Sequence, residues 1–362
     1  VIKHKNNQIN GIQYLRGLAA ILVVLSHVAA MAKFPKYFNL TIFSGIFEAG
    51  AVGVPLFFVI SGFIIAYVSL THNELKPKTS YSEFAKKRFI RIIPFMWTCI
   101  LGYAILRALG RGGAFPVNEY ARAFILFPVG KVEPAQIWTL KHEFLFYMIF
   151  CLVVVKLNVR WILYLWFVSP VFWELIGKST YNPTLLELGN FFFSKLNLLF
   201  GLGYFTAILY LKGALNFKKE YVSGFAISFL ATIPLLFIAY YYNGQYKNFQ
   251  QVAFCGLFSV ITLVVSLTIK SSEKTSYVDK TFLLIGDASY SIYLTHPAII
   301  SAILGIWSKQ QPNASPISIL LIGTTLSCVG GIIIHKMVEV PLIKILQTNK
   351  SFFKKKPLVE LK

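Results

Sequence analysis

The stretch GIQYLRGLAAILVVLSHVAA, residues 11–30, decides how the rest of the chain is read. It is apolar for long enough to cross a hydrocarbon core of ~30 Å, which takes roughly 20 residues, yet it carries Arg16 and His27. Ionisable side chains at membrane depth are costly and mark a polar cavity or pathway as a rule. On a helix turning ~100° per residue, the eleven steps between them make three turns plus ~20°, so both side chains share a face and lie ~16 Å apart along the axis. Two plainer readings stay open. Arg16 can snorkel to the interface as an anchor, and His27 can hydrogen-bond between helices.

The composition fixes the solvent in which the chain folds. Of 362 residues 56% are hydrophobic and only 14% charged, with 33 Phe, and the mean hydropathy is +0.64. Soluble globular domains do not have this make-up. Because backbone groups in lipid must be satisfied internally, the recurring apolar runs read as helices. They are about 12–31, 49–69, 92–108, 138–155, 160–176, 192–211, 221–240, 251–269, 281–304 and 316–343. The expected fold is therefore an all-α, polytopic integral membrane protein with about ten transmembrane helices. A single membrane-embedded domain over 1–362 is expected, with a basic cytoplasmic tail from about 344 and a first helix that is retained rather than cleaved.

Charge sets the expected orientation. One alternating set of breaks (the N-terminus, 70–91, 156–160, 211–220, 270–280 and the tail) carries 22 Lys and Arg, against eight for the other set. Positive charge accumulates on the cytoplasmic side, which places both termini there. The net charge of +21 is then explained by topology and anionic membrane lipids, with no need of nucleic acid. Cys99, Cys151, Cys255 and Cys328 all fall in apolar runs with no CxxC pair, so neither disulfide nor metal chemistry is expected.

Depth can be assigned to the remaining polar groups. WTLKHEFLFYMIF runs inward and puts His142 and Glu143 one to two turns below the outer surface, while DASYSIYLTHPAII runs outward and leaves Asp287 near the cytoplasm and His296 at roughly the depth of His27. His27, Glu143 and His296 are thus expected in one layer, where a carboxylate orienting an imidazole makes a general base. For Glu143 the alternative is a solvated acid at a helix end, and for His296 a structural role. At the cytoplasmic side, EFAKKRFIRIIPFMW places Arg88 and Arg91 on one face at i, i+3. Two guanidinium forks suit a phosphorylated ligand; lipid headgroups are the alternative. Ser61, in FFVISGF, reads first as a helix-contact residue beside Gly62, and second as a supporting donor.

The segments YLRGLAAILVVLSH, GVPLFFVISGF, KRFIRIIPFMW, WTLKHEFLFY and SYSIYLTHP together resemble the acyltransferase-3 family of bacterial membrane O-acyltransferases, over residues 11 to about 341. Arg16 and His27 meet the family's Arg and His of the first helix. Arg88 and Arg91 meet its Arg-x-x-Arg, and Trp138, Thr139, Leu140 and Glu143 its Trp-Thr-Leu-x-x-Glu. The resemblance implies transfer of an acyl group, most often acetyl, from cytosolic acyl-CoA to a hydroxyl of an envelope glycan or lipid-linked glycan at the bacterial inner membrane. No permanently bound cofactor is implied. In that scheme His27 and Glu143 are catalytic, and Arg16, Arg88 and Arg91 hold the donor. Ser61, Trp138, His142 and His296 support them. A transporter or flippase of a lipid-linked glycan is the alternative from another class, with the same buried polar groups relaying protons or holding a phosphate.

Overall fold

The computed structural model describes residues 9–110, 114–154, 159–177, 182–215, 224–241, 248–269 and 276–348. The basic tail beyond 348 and much of the charged breaks at 156–160, 211–220 and 270–280 lie outside them, as do the first eight residues. Every extended element among the described residues is helical: α1 (Asn10–Ala32), a 3₁₀ segment (Ile42–Val52), α2 (Gly53–Ser69), α3 (Tyr81–Gly110), α4 (Val117–Phe124), α5 (Ile137–Val154), α6 (Trp161–Ile176) and α7 (Pro183–Phe192) come first. Then follow α8 (Leu196–Leu211), α9 (Gly224–Tyr241), α10 (Phe249–Leu267), α11 (Tyr277–Asp287), α12 (Ser289–Gln310), α13 (Pro316–Ile334), a π turn (His335–Glu339) and α14 (Val340–Thr348).

Each of the ten apolar runs coincides with a helix or a pair of helices. Seven of these helical stretches are long and apolar enough to cross a membrane, while Trp161–Ile176 and Ala226–Tyr241 are apolar but shorter. The edges differ from the expected ones where hydropathy is a poor guide. α3 begins at Tyr81, not near 92, because Glu83 in its first turn and the Lys87–Glu83 ion pair at 2.7 Å (i, i+4) sustain a helix through residues that are polar. The run at 281–304 is two helices, interrupted at Ala288. The interruption presents Asp287 and Ser289 sideways to the interior.

α1 is the hub. Its core residues Leu15, Ala19 and Val24 are fully buried, and it packs on α11, α12, α13, α2 and the 3₁₀ segment. The tightest seam joins α2 to α8. A Cβ built on Gly62 would lie 2.2 Å from the carbonyl oxygen of Phe200, and one on Gly203 would lie 1.9 Å from that of Val59. The two backbones therefore touch, and only glycine fits at either point. With Gly62 spent on that contact, the neighbouring Ser61 points to the other side of α2.

Candidate active site

A cavity of about 570 Å³ opens between α1, α2, α3, α5 and the α11–α12 break. Its polar wall is made of Arg16 from α1, Ser61 from α2, Arg88 and Arg91 from α3, and Glu143 and Tyr147 from α5. Five of the residues singled out in the sequence thus meet in one space. Apolar residues of α2, among them Phe57, Phe58 and Ile64, line the remainder.

Each polar group in the cavity is held by another helix. Arg16 donates to Gln13 Oε1 at 3.2 Å and to Ser289 Oγ at 2.9 Å, so the α11–α12 break fixes the guanidinium. Arg91 repels the Arg16 charge, and Asp287, Glu339 and Glu143 attract it. Arg88 lies over the rings of Phe84 and Tyr147, at 5.5 and 5.9 Å, and its buried Nε has no hydrogen-bond partner. Lys87, by contrast, is spent on Glu83. The basic segment of α3 is therefore split: Lys87 faces out, and Arg88 and Arg91 face the cavity.

Glu143 Oε1 accepts hydrogen bonds from Ser61 Oγ at 3.0 Å and from Tyr147 Oη. Ser61 Oγ is also 3.1 Å from Tyr147 Oη. This closes a three-membered network in which Ser61 is a donor to the carboxylate, its first reading as a helix contact being taken by Gly62. Glu143 was expected beside His27 as its orienting group, and here the two are apart. Among the described residues no hydrogen bond joins them: Glu143 lines the cavity with the arginines, and His27 is not among the residues that line it.

His27 instead pairs with His296. Their ring centroids are 4.7 Å apart with planes at 78°. His27 Nδ1 is 2.9 Å from the Val23 carbonyl oxygen. A carbonyl only accepts, so Nδ1 carries the hydrogen and the neutral ring has a bare Nε2. Tyr293 connects this pair to the cavity. It lines the cavity, its ring lies 5.8 Å from that of His296 and 6.1 Å from that of Phe57, and its hydroxyl shares a 2.9 Å hydrogen bond with Thr139 Oγ1.

Trp138 and His142 stand outside the cavity lining. Trp138 packs on Phe58 and His142, and His142 packs on Phe191 of α7, its buried Nδ1 without a hydrogen-bond partner. Two further features escaped the sequence reading. Tyr147, one turn after Glu143, was masked by its apolar neighbours, although i, i+4 spacing was the available signal. Glu339 is 1% exposed and accepts from Ser291 Oγ at 2.6 Å, and its Oε2 is 2.7 Å from His335 Nδ1. The π turn puts an extra residue in the helix and swings this carboxylate inward, a register change that no periodicity in the sequence announces. No group of His, Cys, Asp and Glu able to hold a metal ion occurs among the described residues.

The chain matches the family described as "Acyltransferase domain" over residues 9–336. It is 27% identical over 370 residues to the peptidoglycan O-acetyltransferase OatA of Listeria monocytogenes, a match covering 86% of this chain and 52% of that protein. It is 28% identical over 327 residues to the exopolysaccharide production protein ExoZ of Rhizobium meliloti, covering 82% and 91%. The O-acetyltransferase OatA of Staphylococcus aureus is 26% identical over 373 residues, covering 92% and 57%. The chain thus spans about half the length of the Listeria and Staphylococcus relatives. No solved structure matches it.

Proposed function

Starting from the fact that this chain belongs to the acyltransferase family matched over residues 9–336, we propose that it transfers an acyl group, acetyl in the first instance, from acyl-CoA to a hydroxyl of a cell-envelope glycan. The observation that carries this reading is the cavity itself: three arginines line one space together with Tyr293, whose ring contacts His296, which in turn packs on His27. Arg16, Arg88 and Arg91 would take the phosphates of CoA, for which guanidinium forks are suited, and the unpartnered Arg88 Nε adds a donor. The apolar residues of α2 then accompany the pantetheine arm toward Tyr293.

His27 is the base in this scheme. Its bare Nε2 removes the proton of the acceptor hydroxyl as the oxygen attacks the thioester carbonyl. The C–S bond breaks, and the departing CoA thiolate takes the proton back from the imidazolium, so an ester and free CoA result. Glu143, tied to Ser61 and Tyr147, acts at the donor end, where it balances part of the arginine charge and holds α2 and α5 in register. The relatives' names, a peptidoglycan O-acetyltransferase and an exopolysaccharide production protein, support a glycan as acceptor. Both termini cytoplasmic and residence in the bacterial inner membrane complete the reading.

The test is mass analysis of envelope glycans from cells with and without the gene, together with acetyl-CoA consumption by the purified protein. A glycan that carries increments of about 42 Da, the mass an acetyl ester adds, in cells with the gene and lacks them in cells without it supports the reading. Unchanged glycans and no thioester consumption would sink it.

A further inference from the structure

The reading above gives His27 a proton to accept and therefore a cationic ring to stabilise, yet the carboxylate expected to do this is bonded elsewhere. The imidazole packed against His27 is that of His296, and its orientation is set within α12. Pro297 has no N–H, so the carbonyl of Tyr293, four residues earlier, loses its helix donor. His296 Nδ1 fills that vacancy at 2.8 Å, with a longer approach of 3.2 Å to the Ile292 carbonyl. Nδ1 is thereby fixed as the N–H, and Nε2 is left as a bare acceptor. His296 is 0% exposed, and its Nε2 has no hydrogen-bond partner. An uncompensated buried acceptor is costly, and a native site that keeps one calls for an explanation.

The geometry points to His296 as the positioning residue of the active-site base: its buried, bare Nε2 stabilises the imidazolium formed on His27 during acyl transfer. The rest of the surroundings are already engaged. Tyr103 of α3 donates to the Leu294 carbonyl at 3.3 Å and accepts from the Ala298 N–H at 3.0 Å. The Tyr293 hydroxyl is held by Thr139, Gln136 donates to the Leu294 carbonyl at 2.7 Å, and Glu339 is held by Ser291 and His335. His27 is the titratable group in ring contact with His296 from another helix. Two neutral imidazoles side by side accept one proton more readily than two, so the pair is suited to taking a single proton and giving it back. This inference rests on the acyl-transfer reading.

The experiment uses the full chain in nanodiscs, acetyl-CoA as donor and an N-acetylglucosamine oligomer as acceptor, with release of the CoA thiol as readout. His296→Asn keeps an amide N–H for the Tyr293 carbonyl and removes the group at Nε2. His296→Gln carries an amide oxygen to about the Nε2 position. Expected is a fall of about 10- to 100-fold in kcat for His296→Asn with KM for acetyl-CoA within about twofold. The acid limb of the pH–rate profile should move to lower pH, because a less stabilised imidazolium gives up its proton more readily, and His296→Gln should recover part of both effects. Wild-type kcat in His296→Asn, or a lowered kcat with an unmoved acid limb, overturns the proposal, as does a Gln variant no better than a misfolded Asn variant. Wild type and His27→Ala run alongside separate the two claims. No thiol release by the wild type fails the acyl-transfer reading and this inference with it, whereas an active wild type, a dead His27→Ala and an unimpaired His296→Asn fail this inference alone.

Discussion

Arg16 and His27 share a face of α1 but belong to different parts of the molecule. Arg16 stands in the cavity, tied to Gln13 and Ser289, and His27 stands past it against His296. Replacing His27 by Ala is expected to abolish transfer, by about a thousandfold or more, with membrane insertion and yield unchanged; near-normal turnover in reconstituted protein would make the ring structural. Glu143→Gln keeps the shape of the Ser61–Tyr147 network and removes the charge beside the arginines. Its effect should therefore appear mainly at the donor, as a raised KM for acyl-CoA, with a smaller fall in kcat. The reverse pattern would return Glu143 to the role of partner to the base. Arg88→Ala and Arg91→Ala should each raise KM for acyl-CoA by about tenfold, the worth of one charged hydrogen bond of ~1.5 kcal/mol, and leave KM for the acceptor unmoved. Lys is expected to substitute poorly for lack of the fork. Equal effects on both substrates would assign these residues to lipid headgroups.

At the scale of helices, proline and register breaks do the positioning. α12 runs through Pro297, and the carbonyls of Tyr293 and Leu294 near it are taken up by His296, Gln136 and Tyr103. Pro297→Ala restores a backbone donor to Tyr293, which competes with His296 for the carbonyl. The variant should melt at the same temperature as the wild type or higher in detergent, and turn over several-fold more slowly. Unchanged turnover would show that the carbonyl does not set the ring. Much of this architecture was legible in the sequence: the apolar runs fall on a helix or a pair of helices, and five of the marked polar residues line one cavity. What was not legible depended on register. Depth along an axis follows from counting residues, which placed His27 and His296 together. The direction a side chain takes around that axis follows from neighbours on other helices, such as Ser61 for Glu143 and Ser291 for Glu339, and counting residues along one helix does not reveal them.

At the scale of the whole molecule, the cavity is polarised. Its arginine end gathers around the start of α1 and the amino-terminal half of α3, whereas His27 lies near the other end of α1. On the proposed orientation, with both termini cytoplasmic, donor entry and acyl delivery are expected on opposite faces. In proteoliposomes of sorted orientation, acetyl-CoA should support reaction only from the face that carries the termini, and an impermeant glycan should be modified only from the other. A requirement for both substrates on one face would end the vectorial scheme. A Cys at Ala30, in a chain whose four native cysteines have been replaced, gives a direct check, since an impermeant thiol reagent should reach it only from outside.

The backbone contacts of Gly62 with Phe200 and of Gly203 with Val59 also bear on the lipid in which the protein works. Bilayers change thickness with chain length, sterol and growth temperature, and helices usually answer by tilting against one another. The backbones of α2 and α8 meet at both glycines and the rings of Phe58 and Phe200 pack across the same seam at 4.9 Å, so the pair is expected to tilt as one body and carry Ser61 with it. Thickness changes then fall on the lipid-facing helices at the periphery, such as α6. Turnover should accordingly stay level across acyl chains of different lengths, leaving acyl transfer indifferent to changes in the fluidity of the membrane around it.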